Sequence, residues 1–294
     1  RKHQFAAYAL RVVDSTVIEA LPRMIWAAYG AGRPRADGKV HTGVRLHLSF
    51  DPMAQCPVQC HVSEGKICER TAWENDLRPA PPCEEQTNLE MGDRNYGASY
   101  TLLERHLAKG VHFLVRLRSG AHEVAEEISV SAEEANAGIQ RQAWVRLGII
   151  TKRPGRATAP LVRVIWLASG VILATSLSVA ALSASEASAM YRQRWQVEFF
   201  FKWIKTMLAC KHWWAQSKAG VTLQLYLTII AALLLQLKCG RRPSKRMMEL
   251  LQYYFAGLLS ARELKVRLKE AARIAVLSAA SEKAYRAKRE QAKR

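Results

Sequence analysis

One short segment, residues 191–205 (YRQRWQVEFFFKWIK), constrains the fold more than any other part of the sequence. If the segment is one α-helix at about 100° per residue, its polar side chains fall within an arc of about 100°. These polar residues are Tyr191, Arg194, Glu198, Lys202 and Lys205. The apolar residues are Trp195, Val197, Phe199, Phe200, Phe201, Trp203 and Ile204. The pattern predicts a helix that buries a broad apolar face against a sheet and presents one carboxylate among cations and a phenol.

The simplest interpretation of this polar stripe is a solvated face of an amphipathic helix. Such a face would carry the same residues without any chemical role. The stripe by itself therefore does not establish a site, and the rest of the sequence has to decide between the two interpretations.

The charge of the chain indicates a polyanionic partner. Forty-four Lys and Arg residues against 25 Asp and Glu residues give a net charge of +19. Such an excess favours nucleic acid ahead of an anionic membrane surface. The last 12 residues, 283–294, hold six basic side chains against Glu290 alone, so we expect a solvated, frayed helix end that can lie along phosphates.

The six cysteines contain no Cys-x-x-Cys pair, which favours free thiols in a reducing cytosol. Cys56, Cys60 and His61 could act as zinc ligands, but this spacing lacks the second pair of ligands that a zinc knuckle needs. Structural zinc is therefore the weaker alternative.

Residues 220–239, GVTLQLYLTIIAALLLQLKC, are long and apolar enough to suggest a transmembrane helix. Gln224 and Gln236 would be costly in lipid. The sequence therefore favours a helix buried against a protein core, and a small basic membrane protein that spans residues 221–237 is the alternative.

Two segments predict strands that end in a carboxylate. YALRVVDS predicts a strand that delivers Asp14 at its end, and TNLEMGD predicts a strand that ends at Asp93. After Asp93 come a turn, a helix over 100–109 closed by Gly110, and the strand VHFLVRLR, which together make a β-α-β unit. Open α/β sheets place ligand-binding groups at the carboxyl ends of such strands.

The remaining segments complete an α/β chain. VRLHLSFD and CPVQCHVS predict an antiparallel pair, ICERTAWENDL a short helix, and residues 119–180 a strand-rich insertion that includes VRLGIIT, LVRVIWLA and VILATSL. Ser185 is a possible N-cap of the helix that follows, and the chain is helical from residue 220 onward.

Asp14, Asp93 and Glu198 are thus placed by independent patterns, and a helix packed across a sheet can bring them together. Gathered carboxylates repel one another, and Mg²⁺ is the usual neutralising ion. Two such ions, about 3.5–4 Å apart, can activate a water or a 3′-hydroxyl and stabilise the leaving oxygen of a phosphodiester. Lys205 and Arg194, on the same stripe as Glu198, would hold substrate phosphates.

These motifs resemble those of the DDE transposases of the bacterial insertion-sequence-four family. The spacing Tyr191-x2-Arg194-x3-Glu198-x6-Lys205 resembles the YREK signature of that family. RVVDSTVI resembles the strand that carries its first Asp, and MGDRNYGA resembles its second-Asp segment, usually written D-R-G-Y. The similarity covers roughly residues 8–238.

The resemblance implies an RNase H-like α/β fold: a mixed sheet flanked by helices, with a β-rich insertion before the helix of Glu198 and a helical C-terminal part. The expected domains are the first part of the core at 1–118, the insertion at 119–180, the second part of the core at 181–238, and a helical region with a basic tail at 239–294. Within that fold, the catalytic and metal-binding residues would be Asp14, Asp93 and Glu198, with Mg²⁺ or Mn²⁺ and two ions expected.

The resemblance also implies partners and a reaction course. The DNA contacts would come from Tyr191, Arg194, Lys202 and Lys205, to duplex DNA at terminal inverted repeats and to target DNA. The reaction would run by nicking, hairpin formation, resolution and strand transfer in a homodimeric synaptic complex. The protein would be cytoplasmic and nucleoid-associated, with no membrane partner. A tryptophan of the insertion, Trp166 or Trp144, could receive a flipped base, although a tryptophan in a strand is more often part of the core.

Two departures from the family pattern stand out. Asn95 occupies a position where Gly is commoner, which Asn would tolerate because it visits left-handed conformations readily. Asp14 comes so early that the N-terminal DNA-end-binding domain of the family is not expected in this chain, which would be a catalytic-core fragment or the product of a truncated gene. A truncated, inactive remnant that binds DNA without cleaving it is therefore the alternative function.

Overall fold

The computed structural model describes residues 5–29, 41–78, 85–118, 123–147, 161–207 and 212–291. Residues 30–39 (GAGRPRADGK), whose glycine, proline and charged residues predict a loop or hairpin, lie outside the described residues. Contacts group the chain into two compact units, Arg1–Leu227 and Thr228–Arg294. The four domain segments expected from the sequence stay predictions.

Ten strands are described: β1 (Tyr8–Glu19), β2 (Ala28–Tyr29), β3 (His41–Asp51), β4 (Cys56–Glu64), β5 (Thr87–Gly92), β6 (His112–Arg116), β7 (Glu123–Ile128), β8 (Ile139–Arg146), β9 (Leu161–Leu167) and β10 (Ile172–Thr175). Eight α-helices accompany them in the described part of the chain: α1 (Glu69–Asn75), α2 (Tyr100–Ala108), α3 (Ala132–Asn136), α4 (Ala184–Tyr191), α5 (Trp195–Met207), α6 (Lys218–Cys239), α7 (Lys245–Phe255) and α8 (Ala261–Gln291).

The centre of the first unit is a mixed sheet. Five of its strands lie in the order β4-β3-β1-β5-β6, with β3 antiparallel to both β1 and β4. The neighbours β1, β5 and β6 are parallel to one another. If these five strands alone are renumbered 1 to 5 along the chain, the order is 3-2-1-4-5 and strand 2, which is β3, runs antiparallel to its neighbours. This is the RNase H-like arrangement. The predicted fold class is confirmed.

The strands of the predicted insertion continue the same sheet. β10 pairs antiparallel with β6, and β9, β8 and β7 follow in antiparallel order. β7 (EVAEEI) carries no apolar alternation and is exposed along nearly all its length, so its pairing with β8 defines it. For the same reason the sequence pattern did not reveal it. The helix α3 after it begins with a capping box between Ser131 and Glu134.

Buried side chains from the sheet, α1 and α2 form the main core of this unit. The cluster includes Val13, Trp73, Tyr96, Leu102, Leu103, Phe113, Val115, Val145 and Val164. At its edge the indole of Trp73 donates to the buried carboxylate of Glu90, and His106 lies 3.3 Å from the same carboxylate. Three elements, α1, β5 and α2, are therefore joined by two contacts to one buried carboxylate.

The segment 191–205 is not the single α-helix that the sequence predicted. α4 ends at Tyr191, a 3-10 turn covers Arg192–Arg194, and α5 begins at Trp195. The N-cap of α4 is Ser183, whose side chain accepts from the Glu186 backbone in a reciprocal capping box. The prediction of Ser185 as the N-cap was therefore wrong, because the glutamate three residues after the cap selects Ser183.

The apolar face of α5 is buried only in part. Val197, Phe200, Phe201, Trp203 and Ile204 are buried, as predicted. Two other members of the predicted face are exposed: Trp195 at 55% and Phe199 at 53%. They lie one turn apart on the side of the helix that the sheet does not cover. The prediction of a buried face was wrong for these two residues, because the face that reaches the sheet is narrower than the apolar arc.

α6 is the apolar helix that the sequence placed against a protein core. Only 28% of its most apolar 18-residue window is buried. The prediction of a buried helix was therefore wrong for most of its surface. Leu223, Leu234 and Leu237 are among its exposed side chains. By length and composition alone this helix could cross a membrane; among the described residues it is the one helix that meets those criteria.

The second unit contains the C-terminal part of α6 together with α7 and α8. α7 begins at the N-cap Ser244, whose hydroxyl accepts from the Met247 backbone. Its buried face contributes to a small apolar cluster formed by Met247, Leu250, Leu251, Leu259, Leu264 and Leu268. α8 is described as helix to Gln291, and most side chains of the basic segment 283–294 lie outside the described residues.

Gly97 is the glycine whose replacement should cost the most stability in the first unit. A Cβ atom at this position would lie well inside van der Waals contact of the Arg116 carbonyl oxygen, which is backbone and cannot rotate away. We expect Gly97→Ala to lower the free energy of unfolding by about 1–3 kcal/mol or more in urea denaturation. Gly110→Asn is the control, because its surroundings are open and Asn tolerates its φ of +70°. Equal stability of the two variants would contradict the close approach.

Candidate active site

The sequence predicted that Asp14 would end its strand, and this prediction was wrong. β1 continues to Glu19 because its second half pairs with β3, including Asp14 with Leu48. The parallel ladder with β5, in contrast, stops at the pair Val12 and Met91. Asp14 therefore lies just beyond the β1–β5 ladder, at the point where the two parallel strands part. Its backbone neighbour Ser15 donates an N–H to Asp14 Oδ1 at 2.8 Å.

Asp93 directly follows β5, as predicted. Met91, two residues before Asp93, pairs with Val12, two residues before Asp14, so each acid follows the end of the β1–β5 ladder by two residues. Asp93 Oδ1 accepts the backbone N–H of Asn95 at 2.7 Å, an Asx turn that fixes the carboxylate at the strand end. Asn95 has φ −71° and ψ −38°. The explanation from left-handed tolerance was therefore wrong, because this turn needs only a right-handed conformation.

Arg194 connects the strand carboxylate to the helix carboxylate. Its Nη1 lies 3.0 Å from Asp14 Oδ2 and 3.4 Å from Glu198 Oε1. The Asp14 and Glu198 oxygens are therefore no farther apart than these two distances combined, which is well under a nanometre. Glu198 remains accessible, with 43% of its side chain exposed, whereas the side chains of Asp14 and Arg194 are 10% and 9% exposed. Two of the three predicted acids thus meet across a buried guanidinium.

Burial dominates the electrostatics of Asp14. It raises the pKa of this carboxyl from an ordinary 3.8 to about 7, against the lowering effect of Arg194, and the charges of Glu198 and Glu69 raise it further. Burial by itself would lower the pKa of Arg194, but Tyr191, Asp14, Glu198 and Asp93 raise it overall. The guanidinium stays charged, whereas the carboxylate is costly to ionise in this position.

Tyr191 packs beside the same guanidinium. Its hydroxyl donates to the Gly92 carbonyl at 3.4 Å, next to Asp93, and Arg194 Cζ lies 6.0 Å from the centre of its ring. Burial raises the pKa of Tyr191 to about 12, while Arg194 lowers it and Asp93 raises it. The phenol therefore stays protonated and can donate a hydrogen bond. The charge of Asp93 thus acts on both Tyr191 and Arg194, and Tyr191 contacts Gly92, the residue directly before Asp93.

The two lysines of the predicted DNA-binding set differ in their surroundings. Lys202 is exposed on α5, one turn after Glu198. Lys205 is half-buried, and its ammonium donates to the Thr16 hydroxyl and, at 2.9 Å, to the Val17 carbonyl. Lys205 therefore joins α5 to β1, and Lys202 is the lysine of this pair whose side chain is turned to solvent.

Glu69 is a fourth carboxylate at this site, and no pattern in the sequence predicted it. It is the first residue of α1, and its Oε1 accepts from the Ser15 hydroxyl at 2.7 Å and from Arg45 at 2.9 Å. Its Oε2 accepts from the Asn95 side chain at 2.9 Å. No spacing along the chain relates Glu69 to the other acids, so only the packing of α1 against β1 could reveal it.

The donor chemistry of the site fits a hard divalent cation. Asp14, Asp93, Glu198 and Glu69 offer carboxylate oxygens, the ligands that Mg²⁺ and Mn²⁺ prefer. In the part of the chain that the structure describes, no group of three or more His, Cys, Asp or Glu side chains is close enough to hold an ion as the side chains now stand. Arg194 supplies the counter-charge between Asp14 and Glu198 instead, so ion binding there requires its guanidinium to yield one of these oxygens.

The two tryptophans considered for base binding are both half-buried in the insertion. Trp166, on β9, packs against the main core and lies under Arg141, whose Cζ is 4.7 Å from the ring centre. Trp144 lies on β8 opposite Arg163 of β9. Neither geometry selects one of them, and both stay candidates.

Sequence comparisons match most of the chain to a known protein family. The family described as "Transposase DDE domain" matches residues 6–234, which is most of the chain and contains every predicted site residue. The match spans the sheet, the strands of the insertion and α5.

Two curated relatives extend the similarity. A "Probable transposase for insertion sequence element IS5377" from Geobacillus stearothermophilus is 26% identical over 259 residues, covering 85% of this chain and 63% of the relative. A second relative, from Sinorhizobium fredii and also named as a transposase, is 26% identical over 236 residues, covering 78% of this chain and 60% of the relative. The chain thus spans somewhat less than two thirds of either relative.

Among solved structures, the chain is similar to one described as a "piggyBac transposase synaptic complex with hairpin DNA". The TM-score is 0.40 and the sequence identity 12%, over 88% of this chain and 54% of the other.

Proposed function

Because this chain belongs to the family of transposases with a DDE domain, we propose that it is the catalytic part of a DNA transposase, which cleaves and joins phosphodiester bonds at the ends of an insertion sequence. The chemistry is assigned to Asp14, Asp93 and Glu198.

The observation that supports this assignment is the meeting of Asp14 and Glu198 at one guanidinium. These residues are 184 positions apart, and Arg194 contacts both carboxylates at 3.0 and 3.4 Å. Burial raises the pKa of Asp14 to about 7, and carboxyl groups with strongly shifted pKa values cluster at functional sites. A fully solvated polar stripe over residues 191–205 does not account for Arg194, which is buried against the buried carboxylate of Asp14.

The three carboxylates would hold two divalent ions, Mg²⁺ or Mn²⁺, which supply activation of the attacking hydroxyl and stabilisation of the leaving oxygen. Arg194 neutralises Asp14 and Glu198 in this structure, and its guanidinium would be able to turn toward a phosphate oxygen if divalent ions took over that role. Tyr191, protonated up to about pH 12, can donate to a phosphate oxygen beside Asp93.

The finer family assignment rests on the YREK spacing. We assign the chain to the insertion-sequence-four family, with nicking, hairpin formation, resolution and strand transfer as its reaction course. Duplex DNA at terminal inverted repeats and at the target would bind beside α5, in a homodimer that brings two ends together. The net charge of +19 supports such a polyanionic partner. We also propose that the protein is cytoplasmic and nucleoid-associated, as the family resemblance implies.

Cleavage of the natural DNA end tests this proposal. Duplexes carrying the inverted repeats that flank the coding region would be incubated with the purified protein, with and without Mn²⁺. We expect strand-specific nicks at the repeat end that need the ion and are absent from a scrambled duplex. Binding of the duplex without any cleavage in the presence of Mn²⁺ would instead favour the inactive remnant. A protein that stays insoluble until detergent is added would favour the membrane alternative.

Lys202→Ala tests the proposed phosphate contacts on α5. Because Lys202 is exposed, we expect its loss to leave folding unchanged and to weaken DNA binding. The slope of log affinity against log salt concentration should become shallower by about one, as for the loss of one phosphate contact. Lys109→Ala is the matched control, an exposed lysine at the far end of α2. Equal effects of the two changes on the slope would mean that only total charge matters.

A further inference from the structure

The strongest unexplained feature of the site is the contact set of Glu69. Its carboxylate accepts from the side chains of two residues that are 80 positions apart, Ser15 at 2.7 Å and Asn95 at 2.9 Å. Ser15 follows Asp14 on β1, and Asn95 lies in the turn after Asp93. One side chain therefore holds both of the segments that carry the strand acids.

The backbones of the same two residues hold the strand acids themselves. The N–H of Ser15 donates to Asp14 Oδ1 at 2.8 Å, and the N–H of Asn95 donates to Asp93 Oδ1 at 2.7 Å. In each acid one carboxylate oxygen is thus fixed by a backbone donor whose own side chain is bound to Glu69. Asp14 Oδ2, the oxygen not used in this way, is the one that faces Arg194.

Two further observations indicate that Glu69 is built into this position. Its charge is balanced by Arg45, which lies 2.9 Å from Oε1 and also donates to Ser15 Oγ at 3.0 Å and to the Gly65 carbonyl. Beneath the site, the buried hydroxyl of Tyr96 has no hydrogen-bond partner in the described part of the chain, and Glu69, Asp14 and Asp93 are the charged groups that raise its pKa. The hydroxyl of Tyr96 is therefore acted on by the charges of Glu69 and of both strand acids.

We propose that Glu69 is a positioning residue that sets the spacing and orientation of Asp14 and Asp93 by holding Ser15 and Asn95. This inference rests on the proposed function. It assigns to Glu69 the role of holding the two strand acids in place. Glu69 acts through its neighbours, as the outer partners of metal ligands do, and replacement of such partners typically costs about 10–100-fold in metal affinity or activity.

Alanine variants separate positioning from general stability. We expect Glu69→Ala to raise the Mn²⁺ concentration for half-maximal cleavage by about 10–100-fold. Ser15→Ala/Asn95→Ala, which removes both anchors and keeps Arg45 paired with Glu69, should reach a similar value. Adding Glu69→Ala to that double variant should cost little more, because residues that act through one contact are not additive. Glu69→Gln should recover most of the loss, since its amide can pair with Ser15 and with a rotated Asn95 amide.

A second readout does not depend on cleavage. Hydrogen exchange at the Ser15 and Asn95 amides should be faster by about tenfold or more in Glu69→Ala, because their carboxylate partners are no longer held in place. Glu74→Ala is the control, since Glu74 lies on the same helix and pairs with Arg105 instead. Unchanged exchange at both amides, or an equal effect of the control, would overturn the positioning role. If the wild-type protein cleaves no DNA, the proposed function fails, and the exchange rates still decide the role of Glu69.

Discussion

Asp93→Asn and Glu198→Gln should each reduce cleavage of a transposon-end duplex by about a thousandfold or more, while non-specific DNA affinity stays within a few-fold of wild type. Each change keeps the size of the side chain and removes one anionic ligand. Metal-assisted catalysis supplies several kcal/mol, and each 1.4 kcal/mol is about tenfold in rate. DNA affinity should survive because it depends mainly on the charge of the whole chain, which is +19.

The measurement pairs a cleavage assay in Mn²⁺ with a binding titration on the same duplex. Glu104→Gln, an exposed glutamate of α2, is the matched control and should leave both unchanged. Wild-type cleavage by Glu198→Gln would contradict the assignment of this residue. Parallel loss of cleavage and binding would mean that the variants are misfolded, which circular dichroism would reveal.

Arg194→Met should lower the free energy of unfolding by about 3–5 kcal/mol near pH 8, because it leaves Asp14 buried without its counter-ion. The loss should shrink as the pH falls. Burial already raises the pKa of Asp14 to about 7, and loss of the guanidinium would raise it further. Between about pH 4 and this raised pKa, Asp14 binds a proton in the native state of the variant but not in the unfolded chain. Lowering the pH therefore favours the native state of this variant.

Urea denaturation at pH 8 and pH 5 measures this effect. The double variant Asp14→Asn/Arg194→Met replaces the buried charge with a neutral amide. It should therefore regain most of the lost unfolding free energy, and its remaining deficit relative to wild type should change little with pH. A single variant as stable as wild type at pH 8 would show that Asp14 is not held by Arg194 in solution.

The sequence predicted the parts of the fold that depend on local pattern. The alternating residues of β3 and β4, the β-α-β unit around α2 and the position of Asp93 directly after β5 were all recovered, because each is written in a few neighbouring residues. The sequence predicted that Gly110 closes α2 because glycine commonly ends helices in a left-handed conformation. Gly110 has this conformation, with φ +70°.

Features that depend on distant pairing were missed. The length of β1 beyond Asp14 comes from its pairing with β3, and β7 exists as a strand because it pairs with β8. The exposure of Trp195 and Phe199 depends on how much of α5 the sheet covers. Glu69 reaches the site only because α1 packs against β1, and no motif marks it. In each case the determining neighbour is far away along the chain.

The central claim is that Asp14, Asp93 and Glu198 form one divalent-ion site, and anomalous diffraction tests it most directly. Crystals of the protein with a transposon-end duplex would be grown in Mn²⁺, and data collected at the manganese edge. We expect anomalous peaks within about 2.5 Å of carboxylate oxygens from all three residues, with the Arg194 guanidinium moved off at least one of them. Manganese bound elsewhere, with Arg194 still holding Asp14 and Glu198 beside bound DNA, would contradict the account.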